Sequence, residues 1–128
     1  MKHIPVLAIG LLAGIAIGAG GIETLKAQTA KKPGYVIAQV DVTDQATFDQ
    51  YRAKVPETLK PFNTHYLVRA EADTKEGTPP AGRVVVIAFD SKEDAEKWHD
   101  TPPYSEIAPI RQRSAKTQVW IVEGLPPQ

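Results

Sequence analysis

Two groups of side chains in this sequence have the types and spacing that chemistry uses. One is the run WHDTPPYSEIAPIRQR at residues 98–113, which gathers Trp98, His99, Asp100, Tyr104, Glu106, Arg111 and Arg113. An imidazole changes charge near neutral pH, a phenol both donates and accepts, and a planar guanidinium grips a carboxylate through paired hydrogen bonds. The other group is dispersed: Gln39, His65 and Arg69 lie in β-branched, apolar stretches. If those stretches are strands, alternation brings the three side chains to one sheet face. There His65 would move a proton and Arg69 would hold an anionic oxygen.

Each group also has a plainer reading. Trp98 stands at helical spacing from Ala95 and is expected in the core. His99, one step around the helix, is expected to face solvent, and Asp100 to end the helix. Tyr104 should pack its ring on Trp98 and send its hydroxyl to a partner. Arg111 and Arg113 read first as members of a structural salt bridge, with Glu123 available, and second as a substrate clamp. Arg69 could pair with Asp41 across the sheet, and His65 could cap a sheet edge. The ligand-binding candidates are Gln39, His65, Arg69, Tyr104 and Arg111, and His65 is the candidate for catalysis.

Composition removes several other chemistries. Lys+Arg and Asp+Glu stand at 15 each, so there is no basic footprint for nucleic acid. The chain has no cysteine, hence no disulfide, thiolate site or thiol nucleophile. Neither a glycine-rich phosphate loop nor a Gly-x-Ser-x-Gly turn is present. His65 and His99 show no metal-ligand spacing, and no metal or cofactor is expected.

The elements that must position the candidates follow from periodicity. YVIAQVDV (35–42), THYLVRA (64–70), RVVVIAFD (83–90) and KTQVWIVEG (116–124) read as strands. A helix is expected from Asp44 as N-cap, with Phe48, Tyr51, Val55, Leu59 and Phe62 as its apolar stripe, a kink at Pro56 and an end near Pro61. Ser91 caps a second helix, which the prolines after Thr101 terminate; a third segment follows, interrupted or restarted at Pro109. Residues 71–82 are polar and read as a surface hairpin loop. The βαββαβ order is that of an α+β, ferredoxin-like fold with a four-stranded antiparallel sheet and helices on one face.

The uncovered sheet face is the next question. The third strand is apolar on both sides, and Ile37, Leu67 and Trp120 are expected on the face away from the helices. Such a patch exceeds what monomers usually expose, and a second copy about a twofold axis would cover it. A homodimer is therefore expected, with Gln39, His65 and Arg69 at the mouth of the space between two sheets.

The N-terminus points to export. Lys2 and His3 precede an uncharged run at residues 4–22, and a polar stretch ending in small residues follows. That is the order of a secretory signal. Residues 1–27 are expected to be a signal peptide, cleaved after Ala27 or Ala30, of a periplasmic or secreted protein. The alternative is a membrane anchor through residues 4–22. Residues 28–34 form a linker, 35–124 the domain and 125–128 a tail.

The stretches YVIAQVDVTD, YLVRA, RVVVIAFDSKEDAEKW, PPYSEIAPIRQRSA and VWIVEG together resemble the bacterial family named domain of unknown function 1330. The resemblance rests on Arg69, Phe89, Ser91, Trp98, Tyr104 and the ending Glu123–Gly124. It implies the dimeric α+β barrel superfamily, which also holds cofactor-independent oxygenases, small isomerases and haem-degrading enzymes. Two departures from the family pattern stand out: Ala70 and Glu71 stand where many members have Gly-Gly, and Ala88 where many have Glu. A reaction resting on that carboxylate would be missing here. Three functional expectations follow: a dimer binding a small apolar or weakly acidic molecule, a cofactor-independent oxygenase or isomerase, or a structural dimer without ligand.

Overall fold

The computed structural model describes residues 32–128. The signal or anchor expected at residues 1–27 lies outside them. Among the described residues no helix is long and apolar enough to cross a membrane. Lys32–Leu125 form one compact unit.

Four strands make its sheet: β1 (Gly34–Val42), β2 (Thr64–Ala70), β3 (Arg83–Phe89) and β4 (Ala115–Glu123). They lie antiparallel in the order β2-β3-β1-β4. Three helices join them: α1 (Gln45–Leu59), α2 (Lys92–Asp100) and α3 (Tyr104–Ser114). The α+β, ferredoxin-like order expected from the sequence is the order observed.

Local chemistry explains the helix boundaries. Asp44 caps α1 by accepting from the Thr47 amide at 3.2 Å, and Ser91 caps α2 by accepting from the Asp94 amide at 3.1 Å. α1 ends at Leu59, ahead of Pro61, where the Phe62 amide turns back onto the Leu59 carbonyl at 2.9 Å. Pro109 does not interrupt α3, which runs unbroken from Tyr104 to Ser114. One proline ring removes a single donor, and its fixed φ suits the helix. The junctions at the two ends of the fold are stitched together at Ser114, fully buried, whose carbonyl accepts from the amides of Thr43 and Asp44 at 2.8 and 3.0 Å.

The core sits between α2, α3 and the sheet. Val36, Ile87, Phe89, Ala95 and Trp98 are buried there. The Trp98 ring stacks on Tyr104 with centroids 3.9 Å apart, and its indole donates to Thr58 Oγ1 at 3.0 Å. The expected core role of Trp98 and its packing on Tyr104 are both observed.

Register assigns the faces. Val36, Ala38 and Val40 of β1 face the helices, paired across the sheet with Ile87, Val85 and Arg83 of β3 and with Ile121, Val119 and Thr117 of β4. The far face carries Tyr35, Ile37 and Gln39, with Val84, Val86 and Ala88 beside them, and Gln118, Trp120 and Val122 on the other side.

β2 departs from the expected phase. Tyr66 pairs with Ile87 and Val68 with Val86, so Leu67 is an extra residue in a bulge. A single inserted residue reverses every later side chain. His65 lies beside Ala88 on the far face, whereas Arg69 lies beside Val85 on the helix side. The expected grouping of Gln39, His65 and Arg69 on one face is therefore corrected: the bulge separates Arg69 from the other two.

Candidate functional site

α1 packs chiefly along α3 and makes few contacts with the sheet. The space left beneath it is a cavity of about 740 Å³, within the usual range for small-molecule sites. Its floor is the helix-facing side of the sheet: Val36, Ala38, Val40, Val85, Ile87 and Val119. Phe48, Tyr51 and Val55 of α1 make the roof, and Trp98, His99, Tyr104 and Arg111 make the far wall. Charged side chains collect where β1 ends and β3 begins, with Arg69, Glu71 and Arg83 among the lining residues. Gly82 enters β3 there at φ +73, against the Val40 carbonyl, where any Cβ would collide.

One polar network lies inside this mostly apolar space. The hydroxyls of Tyr51 and Tyr104 are 2.7 Å apart. Arg111 Nε donates to Tyr104 Oη at 3.2 Å, and Arg111 Nη1 donates to Thr117 Oγ1. Two phenols own two protons, and one proton makes the bond between them. Whichever hydroxyl donates, the other O–H is left over for a further acceptor. Burial, and then the adjoining Tyr104, raise the Tyr51 pKa far above that of an ordinary phenol, so Tyr51 stays neutral.

Arg111 is only 6% exposed, yet no carboxylate lies within ion-pair reach of it among the described residues. A buried guanidinium without a counter-charge is costly. Its remaining nitrogen, Nη2, has no protein partner among the described residues. No side-chain polar atom among those residues is both fully buried and unpartnered, so Nη2 is not sealed off, and Arg111 is among the residues that line the cavity.

The cavity thus brings together Arg69, Tyr104 and Arg111 from among the sequence candidates. Gln39 and His65 do not join them; both lie on the far face. Arg69 forms no ion pair with Asp41 and stacks instead over the Tyr66 ring, 4.0 Å from its centroid. Glu123 pairs with neither Arg111 nor Arg113; its contact is Lys32 at 3.8 Å. Arg113 is exposed. His99 is half-buried rather than exposed, because it closes the end of α2 over the Tyr104 ring at 5.7 Å between centroids.

Sequence reasoning missed Tyr51, Thr58 and Thr117 as polar members of this region. It also missed that Arg111 points inward, although Tyr104, Ala108 and Arg111 recur at helical spacing and all are buried. That spacing was a usable signal. Tyr51 was hidden because an apolar stripe counts a tyrosine by its ring.

Comparison with known proteins adds the family and the fold. A family model described as "Domain of unknown function (DUF1330)" matches residues 33–125. A protein of unknown function from Rhodopseudomonas palustris, RPA0582, superposes with a TM-score of 0.60 at 11% identity, covering 84% of this chain and 94% of that one. A hypothetical Arabidopsis thaliana protein superposes at 0.54 and 16% identity, covering 77% and 92%. SnoaB, a cofactor-independent oxygenase from Streptomyces nogalater, gives 0.48 at 12% identity over 73% and 92%, too loose a match to bear on chemistry. No curated protein matches the sequence.

Proposed function

Because the chain belongs to the DUF1330 family, whose description assigns no reaction, its own site must supply the reading, and we propose that it binds a small, largely apolar acid in the cavity beneath α1. The observation that carries this is Arg111: a buried guanidinium lining the cavity with no carboxylate of the described residues within ion-pair reach. An anionic oxygen on Nη2 would supply the missing counter-charge, and the spare phenol proton of the Tyr51–Tyr104 pair would donate to the same ligand or to a second oxygen. Val36, Val55, Ile87 and Trp98 would take its hydrocarbon part.

The working form in this proposal is an exported homodimer. The far face supports it, with Trp120 42% and Val122 40% exposed beside half-buried Ile37, Val84 and Val86. Each large apolar side chain left in water forgoes about 1.5–3 kcal/mol, which a second copy laid on the same face would recover. The charge order of the N-terminal segment supports export.

The test is a thermal-shift titration of the full chain with 2-naphthoate and with 2-naphthamide, its uncharged analogue. A ligand that binds only the folded state raises Tm. The acid is expected to raise it and the amide is not. Equal shifts would remove the anion from the account, and no shift with either would leave a structural dimer without a ligand.

A further inference from the structure

His99 is the one imidazole on the cavity wall, and it is not used by the binding reading. Its Nδ1 lies 2.8 Å from Asp100 Oδ1. A carboxylate there accepts the Nδ1 proton and leaves the Nε2 lone pair as a base. The ring lies over Tyr104, whose hydroxyl meets both Tyr51 and Arg111. A small molecule held on Arg111 would share its cavity with the imidazole.

The remaining lining narrows what such a base would do. Among the described residues no Ser, Thr, Cys or Lys lines the cavity, so its wall offers no aliphatic hydroxyl, thiol or amine as a nucleophile. Beside the imidazole, the α2–α3 wall offers a spare phenol proton and the buried Arg111 guanidinium; Asp41, Asp49, Glu71, Arg52, Arg69 and Arg83 line the cavity as well. That set suits removal of a proton next to a carbonyl, with the oxyanion met by preset donors.

We propose that His99 is a catalytic base, oriented by Asp100, that enolises a small 2-oxo acid bearing an aryl or alkyl group. This rests on the cavity reading above. The C3–H bond breaks and its proton goes to Nε2. Its electron pair becomes the C2=C3 bond, while the carbonyl π pair moves onto oxygen. The spare phenol proton hydrogen-bonds that oxyanion, and Arg111 Nη2 holds the carboxylate. The imidazolium then returns the proton to the enolate oxygen, so keto acid becomes enol with nothing gained or lost. Asp100 is a positioning residue: it hydrogen-bonds His99 and is not among the residues lining the cavity.

The probe is phenylpyruvate with the full chain in D₂O. Loss of the C3 proton signal reports enolisation, and thermal shift reports binding. The wild-type chain is expected to accelerate exchange well beyond buffer. His99→Gln is expected to lose about a hundred-fold or more of that rate with binding retained, as general-base removal does. Asp100→Asn is expected to lower kcat about ten-fold with KM unchanged and to move the His99 Nδ1 nitrogen resonance away from its protonated position. Because His99 and Asp100 lie at the partly exposed end of α2, both variants should fold.

Phenylpyruvate that binds without faster exchange would overturn the proposal and leave the cavity reading standing. Full exchange by His99→Gln would remove His99 from the mechanism. Binding of 2-naphthoate without binding of phenylpyruvate would exclude the 2-oxo acid class. Binding of neither would sink the cavity reading and this proposal together.

Discussion

The two faces of the sheet are built from the same alternating strands and have opposite fates. On one face Val36, Ala38, Val85 and Val119 meet helices that do not quite close on them, leaving a cavity with a buried, unpaired guanidinium at its wall. On the other, Ile37, Val86, Trp120 and Val122 meet nothing among the described residues. The difference teaches that apolar surface and a polar site are separable questions. The far face is the greasier and more open one, and it invites a flat partner. The helix side is enclosed by α1 and carries the Tyr51–Tyr104–Arg111 network in its wall; it invites a small molecule.

Mutations on each face should break the comparison in different ways. The largest effect is expected from Trp98→Ala, which empties the packing on Phe89 and Tyr104 and removes the indole donor from Thr58 Oγ1. It should cost about 3–5 kcal/mol in urea unfolding. Next is Trp120→Glu on the far face. It should weaken self-association by about a hundred-fold or more, with the light-scattering mass falling to that of one chain, while 2-naphthoate binding persists. Arg111→Met on the helix side should do the reverse. It should lower 2-naphthoate affinity about ten-fold or more and leave the mass unchanged, with little loss of stability because a buried charge without a counter-charge is removed while the Tyr104 and Thr117 hydroxyls lose only a donor.

The smallest effect belongs to neither face. The hydrogen bonds from Thr47 lower the Asp44 pKa from 3.8. A depressed carboxyl contributes stability that is present above 3.8 and fades as pH falls through the folded value below it. Asp44→Ala should therefore lower the urea midpoint slightly at neutral pH, and its difference from wild type should vanish in stronger acid.

Much of the fold was legible because its signals are local and redundant. The caps at Asp44 and Ser91, the β-branched strands and the stripe of Phe48, Val55 and Leu59 each report on a few neighbouring residues. The candidate site was legible in part. Tyr104, Arg69 and Arg111 could be named, but not placed, because a bulge decided the face of Arg69. THYLVRA holds no glycine or proline to announce that bulge, and it carries apolar residues on both sides of the register, so a one-residue slip costs little that sequence can weigh. The inward turn of Arg111 was missed for a different reason. A buried arginine without a carboxylate is unfavourable by itself, and its inward turn makes sense only beside Tyr104 of its own helix and Tyr51 and Thr117, which two other segments of the chain deliver.

The chain has two tryptophans, and they report on opposite faces: Trp98 on the cavity wall and Trp120 on the far side. A nitrogen–proton correlation spectrum of the full chain titrated with 2-naphthoate therefore reads the central claim in two indole peaks. The account predicts that the Trp98 peak, held on Thr58 Oγ1, moves while that of Trp120 stays. A moving Trp120 beside an unmoved Trp98 would put the ligand on the other face and contradict it.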